Sequence, residues 1–218
     1  MVAIDGPVGA GKSTVARRVA QRLGYHYVDT GAMYRSVALK ALEEGIDLHD
    51  EAAVVAVAES LRVEFRPEGE QQRVVANGAD VTEAIRTPDV SEGASIVSVY
   101  AGVRRAMVAI QRAMGREGGV VMEGRDIGTV VFPDADVKVF LDATLEERAR
   151  RRYEELRARG VDVDLDSVRR TEEERDRRDA TRRHSPLRPA ADAVIIDSTN
   201  RSVDDTAAAV IALVEAHR

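Results

Sequence analysis

The sequence predicts an α/β fold: a parallel sheet flanked by helices, with a small antiparallel β lobe inserted into it. Three observations carry this. The apolar run Val2-Ala3-Ile4 leads at once into the glycine-rich segment Gly6-Pro7-Val8-Gly9-Ala10-Gly11. Apolar runs of strand length recur at Val120-Val121-Met122 and Val137-Lys138-Val139-Phe140-Leu141, each preceded by helix or loop, as in a sheet buried on both faces. Between these regions, residues 61 to 82 alternate apolar and polar and contain Asn77-Gly78, a strong hairpin signal.

In chain order, Ser13 to Leu23 reads as a helix with Val15, Val19 and Leu23 on one face, and Tyr25 to Val28 as a second strand. Ala32 to Glu44 is helical, with Met33, Val37 and Ala41 at four-residue spacing, and stops at Gly45. A helix from Glu51 to Leu61 follows. Leu61 to Arg66, Gln72 to Ala76 and Ala79 to Val81 form the inserted sheet, after which the α/β pattern resumes. Gly102 to Met114 is helical, with Val103, Met107, Ile110 and Met114 in register. Thr144 to Arg159 and Leu165 to Arg183 are charged helices joined at Gly160, and Ala193 to Ile196 is a last strand. Ser202 suits the cap of a final helix that buries Val203, Ala207, Val210 and Val214.

With 218 residues, 44% hydrophobic and 32% charged, the composition is that of a soluble globular chain. There is no cysteine, which excludes disulfides and thiolate zinc sites. No apolar run is long enough to span a bilayer, and no signal peptide is evident, so a cytoplasmic protein without a membrane partner is expected. A net charge of −6 argues against nucleic acid as a partner. No long exposed apolar stripe is evident, so a monomer is expected. Lysine is scarce, yet arginines cluster at Arg104-Arg105, Arg148 to Arg159 and Arg169 to Arg183. A GC-rich genome or a hot habitat raises arginine overall, so only particular positions carry weight. Arginine's planar fork lets such an acidic chain still bind a small anion.

Gly6 to Ser13 matches G-x-x-x-x-G-K-S/T in full, and Thr14 follows it. Glycines let backbone N–H groups converge on phosphate oxygens, and the helix that starts there adds its positive end. Lys12 can reach the β- and γ-phosphates, and the Ser13 hydroxyl suits Mg²⁺. The context of strand before and helix after marks a P-loop NTPase-like site for a nucleoside triphosphate such as ATP. A guanine-reading N-K-x-D segment is absent. The strand Val120-Val121-Met122 leads into Glu123-Gly124-Arg125-Asp126, where a long-chain ATPase would usually close an apolar run with Asp. The chain is also short, and together these points favour a small-molecule kinase.

Further anion-binding candidates follow the strands. Asp29-Thr30-Gly31-Ala32-Met33-Tyr34-Arg35 opens a helix where a phosphate acceptor would meet the sheet's carboxyl edge; taken alone, an ordinary cap with a surface arginine is the better explanation. Glu123-Gly124-Arg125-Asp126-Ile127-Gly128-Thr129 frames an Arg-Asp pair with two glycines directly after a buried strand, where loops commonly carry function. Arg175, Asp179 and Arg182 are spaced to share one helical face, although most charges nearby read as a solvated helix. Arg148, Arg151 and Arg152 fall on the preceding helix, and convergent arginines are what phosphoryl transfer requires.

Taken together, the segments Gly6–Thr14, Asp29–Arg35, Glu123–Pro133 and Arg175–Asp179 resemble the bacterial cytidylate kinases, and the resemblance runs over essentially the whole chain. It implies a parallel five-stranded core at about residues 1–35, 101–143 and 184–218, a monophosphate-binding lobe at about 36–100 and a lid at about 144–183. It also implies direct transfer of the ATP γ-phosphoryl group to CMP or dCMP, with Mg²⁺. On that resemblance Gly6, Pro7, Val8, Gly9, Ala10, Gly11, Lys12, Ser13 and Thr14 bind ATP. Thr30 and Asp126 accept from the cytosine amino group, and Arg104 and Arg182 donate to the ring's other edge. Ser95, Arg175 and Asp179 hold the sugar, and Arg35 and Arg125, with Tyr34 beside them, hold the acceptor phosphate. Lys12, Arg125, Arg148 and Arg152 neutralise the moving group. Two rivals remain open at this point: another small-molecule kinase acting on UMP, AMP or shikimate, and a regulatory module that only senses ATP.

Overall fold

The computed structural model describes residues 1–69 and 71–217; Glu70 and Arg218 lie outside it. The chain divides into two compact units, residues 1–27 with 117–218, and residues 28–116.

The first unit is built on a five-stranded sheet. Its strands are β1 (Val2–Asp5), β2 (His26–Asp29, which runs on into the second unit), and, after the second unit, β6 (Val120–Gly124), β7 (Val137–Asp142) and β8 (Val194–Asp197), in the order β2-β6-β1-β7-β8. β1 lies parallel to β6 and to β7, with Ile4 opposite Glu123 and Val139, and β7 lies parallel to β8. Every residue of β1 and β6 is buried, which is why both read as unbroken runs without alternation. Edge strand β8 instead leaves Val194 and Ile195 exposed. Around the sheet stand α1 (Lys12–Leu23), α6 (Leu145–Ala158), α7 (Leu165–Thr181) and α8 (Val203–Ala216). Val2, Ile4, Val15, Val19, Val139 and Val210 form the core of this unit. The expected parallel five-stranded sheet is therefore present.

Between β1 and α1 the chain turns through Gly6, Gly9 (φ 74) and Gly11 (φ 86). A Cβ on Gly6 would fall 2.0 Å from the Leu141 carbonyl oxygen, so only glycine lets the loop leave the sheet against β7. α1 starts at Lys12, one residue earlier than expected, because Gly11 supplies the left-handed N-cap.

The second unit holds the inserted lobe. Strands β3 (Val63–Glu68), β4 (Gln71–Ala76) and β5 (Ala79–Asp80) form an antiparallel sheet, as the alternation predicted. Asn77 (φ 49) and Gly78 (φ 85) are both left-handed, as a tight hairpin turn demands. The helices are α2 (Thr30–Glu43), α3 (Glu51–Ser60), α4 (Pro88–Val97) and α5 (Ala101–Met114), with Met33, Val37, Val54, Ile85, Val97 and Met107 at their core. α3 and α5 approach closely at Gly102, whose Cβ would meet Val55 Cγ2 at 2.5 Å.

Three features differ from expectation. Helix α4 was not anticipated: Ser91, Gly93 and Ser95 interrupt its apolar pattern, yet Gly93 is what lets it pack on α2, since a Cβ there would fall 3.1 Å from the Ala38 Cβ. Residues Ile127–Val131 form a π turn, with Val131 N donating to Asp126 O (3.2 Å) and Phe132 N to Ile127 O (2.7 Å). α7 ends at Thr181 and Arg182 is extended (φ −60, ψ 142), so the expected helix to Arg183 is corrected and Arg182 does not belong to a helical face. The helix stops because the Asp179 carbonyl, which a continuing helix would offer to residue 183, accepts from Leu187 N at 2.8 Å. No single described helix is long and apolar enough to cross a membrane.

Candidate active site

In the first unit the glycine loop is held by its carbonyls. Lys12 Nζ donates to Pro7 O (2.5 Å), Arg148 Nη1 to Val8 O (3.2 Å), Arg151 Nη1 to Gly9 O (3.5 Å) and Ser198 Oγ to Ala10 O (3.0 Å). In a trans peptide the carbonyl and the next N–H point in opposite directions. Fixing four successive carbonyls therefore turns the N–H groups of Val8, Gly9, Ala10 and Gly11 to the other side, as a phosphate cradle requires. Gly9 packs on α6 so tightly that a Cβ would lie 2.8 Å from Arg148 Cβ.

Lys12 is buried, and burial together with the nearby Arg125 guanidinium pushes its ammonium down to about 7. The Ser13 hydroxyl donates to Glu123 Oε1 at 2.5 Å, and Tyr27 donates to the same oxygen at 3.2 Å. Spending its proton on Glu123 leaves the Ser13 oxygen as a lone-pair donor. A hydroxyl beside a carboxylate is a hard oxygen set that fits Mg²⁺ completed by phosphate oxygens. Thr14 is exposed at the next position.

Past the end of β6 lies a linked charge cluster. Arg125 Nε donates to Asp179 Oδ2 at 2.9 Å, Arg182 Nη1 reaches Asp179 Oδ1 at 3.4 Å, and Arg182 Nη2 stands 4.0 Å from Asp126 Oδ1. The structure thus brings Arg125, Asp126, Asp179 and Arg182 together even though Arg182 has left the helix. Burial alone would raise the Asp179 carboxyl, but Arg125 and Arg182 hold it below the usual carboxylate range. Burial opposes the Arg125 charge, and Asp179 and Glu123 still hold its guanidinium above the usual value.

Arg148 Nε donates to Ala143 O at 2.9 Å and its Nη1 pairs with Asp176 at 2.7 Å. Arg152 pairs with Glu155 at 2.8 Å. Arg175 is half-buried, and its Nε has no hydrogen-bond partner among the described residues. Burial pushes the Arg175 guanidinium down and the carboxyl of the neighbouring Glu172 up.

In the second unit, Asp29 rather than Thr30 is the N-cap of α2: its Oδ1 accepts from Ala32 N (2.9 Å) and its Oδ2 from Arg35 Nη2 (2.8 Å). Burial would raise that carboxyl, yet Arg35 and the amide hold it low. Thr30 is buried at the first helical position. The Arg104 guanidinium stands 5.5 Å over the Tyr34 ring and donates to Ser98 O at 3.2 Å, while Ser98 Oγ donates to Ser95 O at 3.0 Å. Tyr34, Ser95 and Arg104 are thereby grouped.

Sequence reasoning overlooked Asp5, Glu123 as a partner of Ser13, and Ser198. Asp5 and Glu123 carried a signal, since each is an acid closing an otherwise apolar strand. Ser198 carried none; its role depends on β8 ending beside the glycine loop.

A strand–glycine loop–helix unit with a buried lysine, on a parallel sheet, defines a phosphate-loop nucleotide-binding protein. A family model described as cytidylate kinase matches residues 2–216, and the chain belongs to that family. A cytidylate kinase of Pelotomaculum thermopropionicum is 53% identical over 100% of this chain and 96% of its own. Those of Desulforamulus reducens (52%, covering 98% and 96%) and Geobacillus kaustophilus (50%, covering 98% and 95%) are similarly related. The crystal structure of TT1252 from Thermus thermophilus is a distant likeness, at 21% identity and a TM-score of 0.46 over 98% of this chain and 96% of that one.

Proposed function

We propose that the protein transfers the γ-phosphoryl group of ATP directly to CMP and dCMP, forming a bond from an acceptor phosphate oxygen to Pγ as the bond from Pγ to the β-bridging oxygen breaks. The observation that carries this reading is the pairing, in one unit, of the braced phosphate loop with the Arg125–Asp179–Arg182–Asp126 cluster. The name carried by relatives at about half identity over nearly the whole chain supports the same choice of acceptor.

The loop Gly6 to Thr14 holds the triphosphate through the main-chain N–H groups that follow Pro7, and Lys12 neutralises its outer phosphates. Ser13 holds Mg²⁺, which when bound supplies further charge neutralisation at the phosphates. Arg125, Arg148 and Arg152 spread the remaining positive charge around the transferring group, and transfer of this kind needs positioning and neutralisation more than covalent help. Asp126 and Arg182 read the base, Asp126 accepting from the cytosine amine. Arg175 and Asp179 hold the sugar. In the second unit, the likeness to the cytidylate kinases assigns Thr30 and Arg104 to base recognition, Ser95 to the sugar, and Tyr34 and Arg35 to the acceptor phosphate. An ionised carboxylate accepts hydrogen bonds only, so Asp126 favours the amine of cytosine over the carbonyl of uracil. The protein acts as a monomer in the cytoplasm.

ADP release is to be measured with Mg-ATP and each of CMP, dCMP, UMP and AMP. CMP and dCMP are expected to be the preferred acceptors. Turnover that needs no acceptor, or a preference for AMP, refutes the reading.

A further inference from the structure

Asp5 closes β1, immediately before the first glycine of the phosphate loop, and is buried. A buried carboxylate is costly unless hydrogen-bonded. Each of its oxygens accepts a main-chain amide from the far side of the chain: Oδ1 from Ile127 N at 2.8 Å and Oδ2 from Gly128 N at 2.7 Å. These are the first amides of the π turn Ile127–Val131. They have no partner within the turn, because a helical N-terminus leaves its leading N–H groups unbonded. Asp5 therefore acts as a two-pronged N-terminal cap supplied by a strand more than a hundred residues away.

The position of that cap matters. Gly124 lies opposite Asp5 in the β1–β6 ladder, and Ile127 and Gly128 are held by the Asp5 side chain. The two residues between these anchors are Arg125 and Asp126. Gly128 is confined from another side as well, since a Cβ there would lie 3.3 Å from the Lys138 stem of β7 and 3.5 Å from Asp5 Oδ2.

We propose that Asp5 is a positioning residue for acceptor recognition, clamping the two-residue span that carries Arg125 and Asp126 while its own backbone launches the phosphate loop. The proposal rests on the reading of Arg125 and Asp126 as acceptor-binding residues. A carboxylate is required because each oxygen must accept. An asparagine offers one oxygen and would point its amine at an N–H, leaving that donor buried and unpaired.

The test is Asp5→Asn, with KM for CMP and for ATP and the CMP-to-UMP ratio of kcat/KM measured separately. KM for CMP is expected to rise about tenfold, equivalent to ~1.4 kcal/mol, and the CMP-to-UMP ratio to fall, while KM for ATP moves by less than about threefold. Equal changes in both KM values would mean a merely structural role, and no change would mean none; either overturns the proposal. Amide hydrogen exchange on the wild-type protein gives a reading that does not depend on the variant folding. The Ile127 and Gly128 amides are expected to be protected like those of the β1–β6 ladder, and exchange at the rate of an open loop refutes the clamp. If the wild-type protein fails to phosphorylate CMP, the functional reading falls, whereas the exchange result still decides whether the clamp exists.

Discussion

A lysine held near neutrality before its ligand arrives should take up a proton when the ligand binds. Burial and Arg125 push Lys12 to about 7 in the free protein. A triphosphate against its ammonium favours the charged form and returns the group toward its ordinary value. At pH 8 the free lysine is then about one-tenth protonated and the bound lysine almost fully so, which predicts uptake of about 0.9 proton per ATP. At pH 7 the lysine's share falls to about 0.5 proton. The sign follows: affinity for ATP declines as pH rises above 7, approaching tenfold per unit, because the free state increasingly lacks the proton that the complex holds. The assay is calorimetric titration of Mg-ATP at pH 8 in buffers of different ionisation enthalpy, whose slope counts protons. Asp5, raised only to about 6 by its burial, is already ionised at pH 8 and contributes little. Uptake below about 0.2 proton at pH 8 would refute the depressed lysine, and undiminished uptake in Lys12→Met would place the proton elsewhere.

Three further outcomes are expected. Asp126→Asn can turn its amide to offer uracil a donor, so the CMP-to-UMP ratio of kcat/KM should narrow by about tenfold or more; equal loss on both substrates would show that Asp126 serves the phosphate or the loop. Gly6→Ala drives a Cβ to 2.0 Å from the Leu141 carbonyl, so at least about 2 kcal/mol of stability and ATP binding should be lost together; a wild-type melting temperature would refute the close approach. Gly102→Ala meets Val55 at 2.5 Å, and a fall of about 1–3 kcal/mol is expected by denaturant titration, with an unchanged midpoint counting against the α3–α5 contact.

The parts of this molecule legible in its sequence are those set by local chemistry. The phosphate loop declared itself because its glycines are needed where the backbone turns left-handed, at Gly9 and Gly11, or passes a neighbouring strand, at Gly6. The inserted sheet was legible because Asn77-Gly78 forces a register onto flanking alternation. α4 was missed because packing against α2 requires small residues on the very face that periodicity expects to be large. Its start was nonetheless written in Thr87-Pro88-Asp89, where Thr87 Oγ1 accepts from Val90 N at 3.4 Å. Arg182 was expected on a helical face because charge spacing cannot reveal that a later amide, from Leu187, will claim the Asp179 carbonyl. Asp5 stood out as an acid closing an apolar strand, but its role was hidden for the same kind of reason: its partners are backbone amides 122 and 123 residues away, and amides leave no mark in a sequence.

Arg148 shows how one residue can both brace a site and serve it. Two of its bonds go to neutral carbonyls, Ala143 O and Val8 O, and fix α6 to the phosphate loop. Its third contact is an ion pair with Asp176 of α7 at 2.7 Å. Carbonyls and a triphosphate do not compete on equal terms for a guanidinium, but a carboxylate and a triphosphate do. A nucleotide arriving at the loop should therefore displace Asp176 and leave the carbonyl bonds in place. Burial already pushes the Asp176 carboxyl up, with Arg148 opposing, so its charge depends on this partner. Asp176→Asn removes the competitor without disturbing the brace, and ATP affinity is expected to rise about threefold to tenfold, on the scale of a partly buried ion pair. Were the Arg148–Asp176 pair instead a permanent support for the loop, the same substitution would weaken ATP binding. The direction of the change in Kd, measured at fixed Mg²⁺ and salt, decides between exchange and support.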